Sequence, residues 1–158
     1  MATILQQISH CVQGGKIEWY PCTAARTWYK GEFLYLTTVG RMTECGSSAT
    51  VTCGMAADDN AADAVGTSHP VYVPTELSLF EMNSYHSTPT SATTHIGMVG
   101  QSYNYFAATA TAYCDRSATT VPFFKVNKLS EKDASGDLFG RVIVSLVPEV
   151  CQIYHSAT

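Results

Sequence analysis

Short runs of apolar and β-branched residues, separated by turns rich in glycine, proline and hydroxyl residues, follow one another along the whole chain. The strongest is RVIVSLV at residues 141–147, and similar runs occur at residues 32–37, 71–73, 77–82 and 123–126. Runs of this kind predict seven or eight short strands, and no 3.6-residue period supports a helix longer than about three turns. The pattern therefore predicts an all-β domain, either a small barrel or a sandwich, with little helix.

Residues 28–60 are predicted to form a β-meander whose short strands are separated by glycines, and this segment leads into the acidic stretch AADDNAADA. We expect a surface loop with one helical turn at residues 56–65, confined by Gly54 and Gly66. Its carboxylates raise the question of calcium binding. However, the spacing of Asp58, Asp59 and Asn60 lacks the alternating ligand pattern and the terminal Glu of a helix-loop-helix calcium site. The sequence therefore predicts no metal site.

The N-terminal 27 residues differ from the rest of the chain. Ile4, Leu5 and Ile8 have a short helical spacing that Gly14 and Gly15 end, and KIEWY then alternates briefly before Pro21. We predict an extended N-terminal arm or entry segment at residues 1–27, followed by a β-domain at residues 28–158. The alternative is an N-terminal strand packed into the barrel.

Composition limits the possible partners. The chain has 158 residues, 14% of them charged, and a net charge of -4. Soluble domains usually have about 25% charged residues, and a low charge density suits a protein that works inside an assembly. The cations are dispersed, so we expect no nucleic-acid partner. There is no signal-like N-terminus and no apolar run long enough for a membrane span, so we expect synthesis in the cytoplasm and no membrane association.

The six cysteines do not resemble a metal or redox site. No CxxC pair is present, and the histidines show no paired spacing. Cys45 and Cys53 flank a turn and are the best candidates for facing each other across a hairpin; for the rest, the favoured interpretation is a small buried apolar side chain. The local signatures of nucleophilic and metal-dependent catalysis are also absent, which favours a protein without enzymatic activity or cofactor.

Several stretches together carry a resemblance to a known family. They are WYKGEFLYL at residues 28–36, Gly40, Glu44, CGMAADD at residues 53–59, PVYVP at residues 70–74, FEMN at residues 80–83, Ile96, Gly97, Tyr103, and Gly136, Asp137 and GRV at residues 140–142. This series resembles the capsid decoration (cement) proteins of tailed bacteriophages. The resemblance implies a small β-barrel or β-tulip-like domain, a homotrimer, that binds the outer surface of an icosahedral head. There it clamps neighbouring major capsid protein subunits and becomes part of the virion surface.

A decoration protein binds through a few apolar anchors. The candidates are Ile4, Leu5, Ile8, Trp19 and Tyr20 in the arm and Trp28 and Tyr29 at the base of the domain. For each of them, ordinary core packing is the competing interpretation. One alternative function is a carbohydrate-binding or adhesin-like β-sandwich that presents Tyr103, Tyr105 and Tyr113 as stacking surfaces. Another is a self-assembling coat or tail-tube subunit.

Overall fold

The computed structural model describes residues 9–108, 111–133 and 135–153, and nearly all regular structure in these ranges is β-strand. The only helical elements there are three short 3-10 turns, at Pro89–Ser91, Ile96–Met98 and Pro148–Val150. The predicted all-β class with little helix is therefore confirmed. The strands are β1 (His10–Gln13), β2 (Lys16–Pro21), β3 (Thr27–Trp28), β4 (Phe33–Leu36), β5 (Met42–Glu44), β6 (Gly54–Ala56), β7 (Asn60–Ala61), β8 (Ser68–Val73), β9 (Leu79–Tyr85), β10 (Ser102–Ala108), β11 (Thr111–Asp115), β12 (Phe124–Leu129) and β13 (Arg141–Leu146).

The last five strands close into a barrel in the order β9-β11-β10-β12-β13 and back to β9. The β9–β11 pair is parallel and the other four pairs are antiparallel. Strand β1 pairs with the first half of β9, beside β11. Closure removes the exposed edges that an open sheet of these strands would have. The structure thus decides between the predicted barrel and the predicted sandwich in favour of the barrel.

A second sheet has the order β2-β8-β6-β4-β5, and a two-stranded ribbon of β3 and β7 lies beside it. The chain leaving β2 bridges to the far strand, because Cys22 pairs with Met42 and the Thr23 amide donates to the Met42 carbonyl at 3.0 Å. The sheet therefore curls almost into a second barrel. Its interior is a small core formed by Cys22, Trp28, Leu34, Met42, Cys53, Ala56, Val71 and Val73.

Strand β4 joins the two cores because its side chains alternate between the two faces of the sheet. Phe33 belongs to the barrel core and Leu34 to the second core, and both are fully buried. The Phe33 ring meets four aromatic rings edge-on, with centroids 5.3 to 5.7 Å away. These four belong to Phe80, Tyr105, Phe123 and Phe124. Phe33 thereby fixes the second sheet against the barrel.

The described part of the expected N-terminal arm is built into the two sheets. Residues 10–13 pair with β9, residues 16–21 pair with β8, and the Ser9 hydroxyl donates to the Ala112 carbonyl at 3.0 Å. In this range the chain is part of the fold, with β1 on the barrel and β2 in the second sheet. Ile4, Leu5 and Ile8 lie outside the described residues.

The acidic stretch contains a strand where one helical turn was expected. Residues 60 and 61 form β7 and pair with β3, so that Asn60 lies opposite Trp28. The Asn60 side-chain oxygen accepts the Asp63 amide hydrogen at 2.9 Å. The pairing of residues 60 and 61 with β3 holds them in an extended conformation, and no local sequence pattern indicates this long-range contact.

All six cysteines are free thiols. Cys45 belongs to the barrel core and Cys53 to the second core, so they lie on opposite faces of the sheet and do not face each other across a hairpin. Burial raises the pKa of both thiols, that of Cys53 to about 12. Both therefore act as small apolar side chains.

Candidate interaction surface

The outer face of β2 is the most exposed apolar feature on a regular strand. Ile17 is 52% exposed and Trp19 is 64% exposed, although each belongs to a residue type that is usually buried. They are two residues apart on one strand, so their side chains point to the same face. The other large exposed apolar residues of the described chain do not form such a pair; they are Val12, Tyr29, Val39, Val51, Val65, Leu77, Ile96 and Leu138.

Local sequence places this strand at the border of its sheet. A turn at Gly14 and Gly15 precedes β2, and Gly14 has a φ of +75° that favours glycine. A Cβ at Gly14 would lie 2.9 Å from the Leu77 carbonyl oxygen, so the turn packs tightly against the turn before β9. Pro21 ends the strand. Within the described ranges only β8 pairs with β2.

The opposite face of β2 carries a polar network. The Lys16 ammonium lies 3.2 Å from a Glu18 carboxylate oxygen, and the Tyr20 hydroxyl donates to the other oxygen at 2.5 Å. Partial burial and the neighbouring Glu18 raise the pKa of Tyr20. Tyr20 packs against the second core and is half-buried. Its hydroxyl is already engaged, so it contributes less free surface than Trp19.

The predicted anchors at the base of the domain have different environments. Trp28 is only 1% exposed and packs in the second core, where its ring lies 5.1 Å from that of His69 in an edge-to-face contact. Trp28 is therefore a core residue that a partner cannot contact, in agreement with the competing interpretation of ordinary core packing. Tyr29 is 50% exposed and remains available. Its amide donates to the Glu32 carboxylate at 2.7 Å, which holds the turn that presents the ring.

Ile17 is a surface residue that the sequence interpretation missed. In KIEWY, residues 17 and 19 share one face of any strand, so the alternation that suggested Trp19 also indicates Ile17. The rings proposed for sugar stacking are not on the surface. Tyr103, Tyr105 and Tyr113 are 9%, 1% and 5% exposed and present no open ring face to a ligand.

Buried polar atoms gather beneath the acidic stretch. His69 Nδ1 lies 2.9 Å from Asp58 Oδ2. His69 Nε2 lies 3.3 Å from Asp63 Oδ2, but this approach does not have hydrogen-bond geometry. Four of the five buried side-chain atoms without a hydrogen bond in the described chain belong here: Trp28 Nε1, Asp58 Oδ1, Asn60 Nδ2 and His69 Nε2. Buried water usually satisfies such atoms. No group of three or more His, Cys, Asp or Glu in the described residues is arranged to hold a metal ion.

A second polar cluster connects β9 and β13 with residues 130–133 on the outside of the barrel. Glu81 on β9 is 3% exposed, and its carboxylate accepts hydrogen bonds from Lys132 Nζ at 2.8 Å and Ser130 Oγ at 2.9 Å. Arg141 on β13 binds Asp133 through Nε and Nη2, each at 2.7 Å. These contacts lower the pKa of Glu81 and of Asp133, although burial opposes the shift in both.

This cluster predicts acid sensitivity. Because both carboxyl pKa values are lower in the folded protein, the ion pairs stabilise the fold fully above the ordinary values of 4.5 and 3.8 and lose that contribution as pH falls further. We expect the melting temperature to decline below about pH 4.5. The gap between wild type and Glu81→Gln should be largest at neutral pH and shrink in acid. A gap that stays constant down to about pH 3 would contradict this assignment.

The described chain contains no helix long and apolar enough to cross a membrane. No protein-family profile, curated protein or solved structure matches this chain. The grounds for a function are therefore its own fold, surface and sequence pattern.

Proposed function

We propose that this protein is a structural virion protein that binds the outer surface of an icosahedral phage capsid and stabilises the expanded shell by clamping neighbouring major capsid protein subunits. The observation that carries the proposal is the exposed pair Ile17 and Trp19 on the border strand β2. A partner that covers both side chains gains the free energy of burying their apolar surface. Tryptophan is also among the residues most often found at the energetic centre of interfaces.

The remaining properties of the chain suit a clamp. Two cores joined at Phe33 give a rigid scaffold, which lowers the entropic cost of binding. Only 14% of the residues are charged, which suits a protein that remains bound to an assembly. A protein that binds the assembled shell but not free subunits stabilises the shell by mass action, and many copies on one shell add their effects. In keeping with the sequence resemblance, we include a homotrimer in the proposal, and sedimentation of the purified protein tests it.

Alanine substitution tests the surface. We expect Trp19→Ala to weaken binding to expanded, undecorated phage heads by about 30-fold, equivalent to a loss of about 2 kcal/mol at an interface centre. Ile96→Ala is the matched control, because Ile96 is 76% exposed but lies outside β2. The readout is co-sedimentation of each variant with heads over a concentration series, with image reconstruction of saturated heads.

Two outcomes would overturn parts of this proposal. If the wild-type protein leaves no ordered density on expanded heads, the capsid function is wrong. If the wild type binds and Trp19→Ala binds equally well, the function stands and β2 is not the contact surface. Equal losses for Trp19→Ala and Ile96→Ala would also remove the special role of β2.

A further inference from the structure

We infer that the outer border of β2 receives an extended segment of the capsid subunit as an additional strand. This inference rests on the proposed function and specifies how that contact is made. It requires that β2 offer free backbone hydrogen-bonding groups as well as exposed side chains. The hydrogen-bond register of the sheet shows which groups these are.

Antiparallel strands alternate between residues whose backbone groups bond to the partner and residues whose groups point away. The Cys22 amide donates to the Thr67 carbonyl at 2.8 Å, so position 22 belongs to the bonded class. Counting back along the register between β2 and β8, positions 20, 18 and 16 also bond to β8. The backbone groups of Ile17 and Trp19 therefore point away from β8.

The far side of β8 agrees with this register. Pro70 and Tyr72 lie opposite Trp19 and Ile17, so their carbonyls must point away from β2. The Pro70 carbonyl accepts the Ala57 amide hydrogen at 3.1 Å, on the side of β6. A Cβ on Gly54 in β6 would lie 2.1 Å from the Tyr72 oxygen, which places that carbonyl against β6 as well.

Within the described residues, the part of the β2 border that no strand pairs with is short and has defined ends. Pro21 has no amide hydrogen, and the turn at Gly14 and Gly15 leads away at the other end. Between these ends, the backbone amides and carbonyls of Ile17 and Trp19 are the four hydrogen-bonding groups that point away from β8. The same two residues carry the exposed apolar side chains. A strand docked here gains hydrogen bonds and apolar contact together, as in other cases of strand addition.

The occupant that fits is a different chain, and a second copy of β2 fits poorly. Two copies of β2 can pair antiparallel with Ile17 of one copy opposite Trp19 of the other. In this register the backbone amides and carbonyls of both residues bond to those of the second copy. This register places the two Glu18 side chains directly opposite each other, and like charges in that position destabilise a strand pair. A suitable partner segment is extended, with a neutral or basic residue opposite Glu18 and a β-branched or small residue beside Trp19.

Residue-resolved hydrogen exchange tests the inference on decorated heads. In the free protein we expect the amides of Lys16, Glu18 and Tyr20 to be protected by β8 and those of Ile17 and Trp19 to exchange fast. On saturated expanded heads, the Ile17 and Trp19 amides should become at least about 10-fold slower, and the other three should change little. The alternating pattern is the signature, since simple covering of the face would not select these two amides.

Each outcome decides a separate point. Binding to heads without slower exchange at Ile17 and Trp19 overturns strand addition and leaves the capsid function standing. Absence of binding overturns both. If the same two amides become protected in concentrated protein alone, and sedimentation shows a dimer, the occupant is a second copy and the inference is wrong.

A pair of variants gives an independent readout. Ile17→Pro removes the outward amide hydrogen and Ile17→Ala keeps it, and neither change removes a hydrogen bond to β8. Thermal unfolding first establishes that both variants are folded. We expect Ile17→Pro to bind heads about 5-fold more weakly than Ile17→Ala, the usual effect of one hydrogen bond. Equal affinities would count against a backbone contact at this position.

Discussion

Replacing Phe33 with alanine should lower the free energy of unfolding by about 3 to 5 kcal/mol, the usual range for removing a buried phenylalanine ring. Phe33 has no exposed surface, and its ring touches four aromatic rings at once. Edge-to-face pairs of this kind add stability beyond the burial of apolar area. The cavity left by the ring would lie where the second sheet meets the barrel, so backbone relaxation cannot easily fill it.

Denaturant unfolding followed by tryptophan fluorescence measures this effect, because Trp28 lies in the second core. The matched control is Tyr29→Ala, an aromatic residue that is 50% exposed, for which we expect a change below about 1 kcal/mol. If Phe33→Ala costs less than about 1 kcal/mol, Phe33 does not join the two cores. Two separate transitions in the variant would show that the sheets unfold independently once the ring is gone.

The second large effect is expected for Arg141→Met. The side chain of Arg141 is 7% exposed and that of Asp133 is 12% exposed, and two hydrogen bonds of 2.7 Å join them. Removing the cation leaves the Asp133 carboxylate poorly solvated, and breaking a buried pair from one side costs about 3 to 5 kcal/mol. Methionine retains much of the apolar stem, so the loss reports mainly the charge and its hydrogen bonds.

Lys128→Met is the control for this substitution. Lys128 pairs with Glu131 at 3.7 Å, and their side chains are 60% and 90% exposed. Solvent screens such a pair, so we expect a change of less than about 0.5 kcal/mol in the free energy of unfolding. The same denaturation series measures both variants. Similar small losses in the two variants would show that the Arg141 pair behaves like a surface ion pair.

Local pattern was enough to predict the longer strands, although the seven or eight predicted are fewer than the thirteen of the described chain. Runs such as RVIVSLV and the Pro-bounded VYV follow from side-chain alternation and β propensity, which act over a few residues. They became β13 and the end of β8. The acidic stretch was misjudged because its strand β7 depends on pairing with β3, more than thirty residues earlier in the chain. Its short polar run carries no strand pattern of its own.

The candidate surface was predicted in part. Trp19 and Tyr29 were named from the sequence and are exposed, and Ile17 follows from the same alternation. Trp28 was named for the same reason and is buried. An indole has the same sequence signature in a core and at an interface, since both bury apolar area. Only the position of a residue in the closed fold separates the two cases.

By itself the sequence determined the all-β class, the sparse charge and the position of the longer strands, because these depend on composition and on neighbours along the chain. Tertiary structure alone decided that β9 to β13 close into a barrel, that Phe33 joins two cores, and that Glu81 and Arg141 belong to one polar cluster. It also decided that β2 lies at a border with the backbone groups of Ile17 and Trp19 facing outward. The physical reason is that strand pairing is non-local: which residues become core, border or interface depends on partners far away in the chain, and no short stretch of sequence records them.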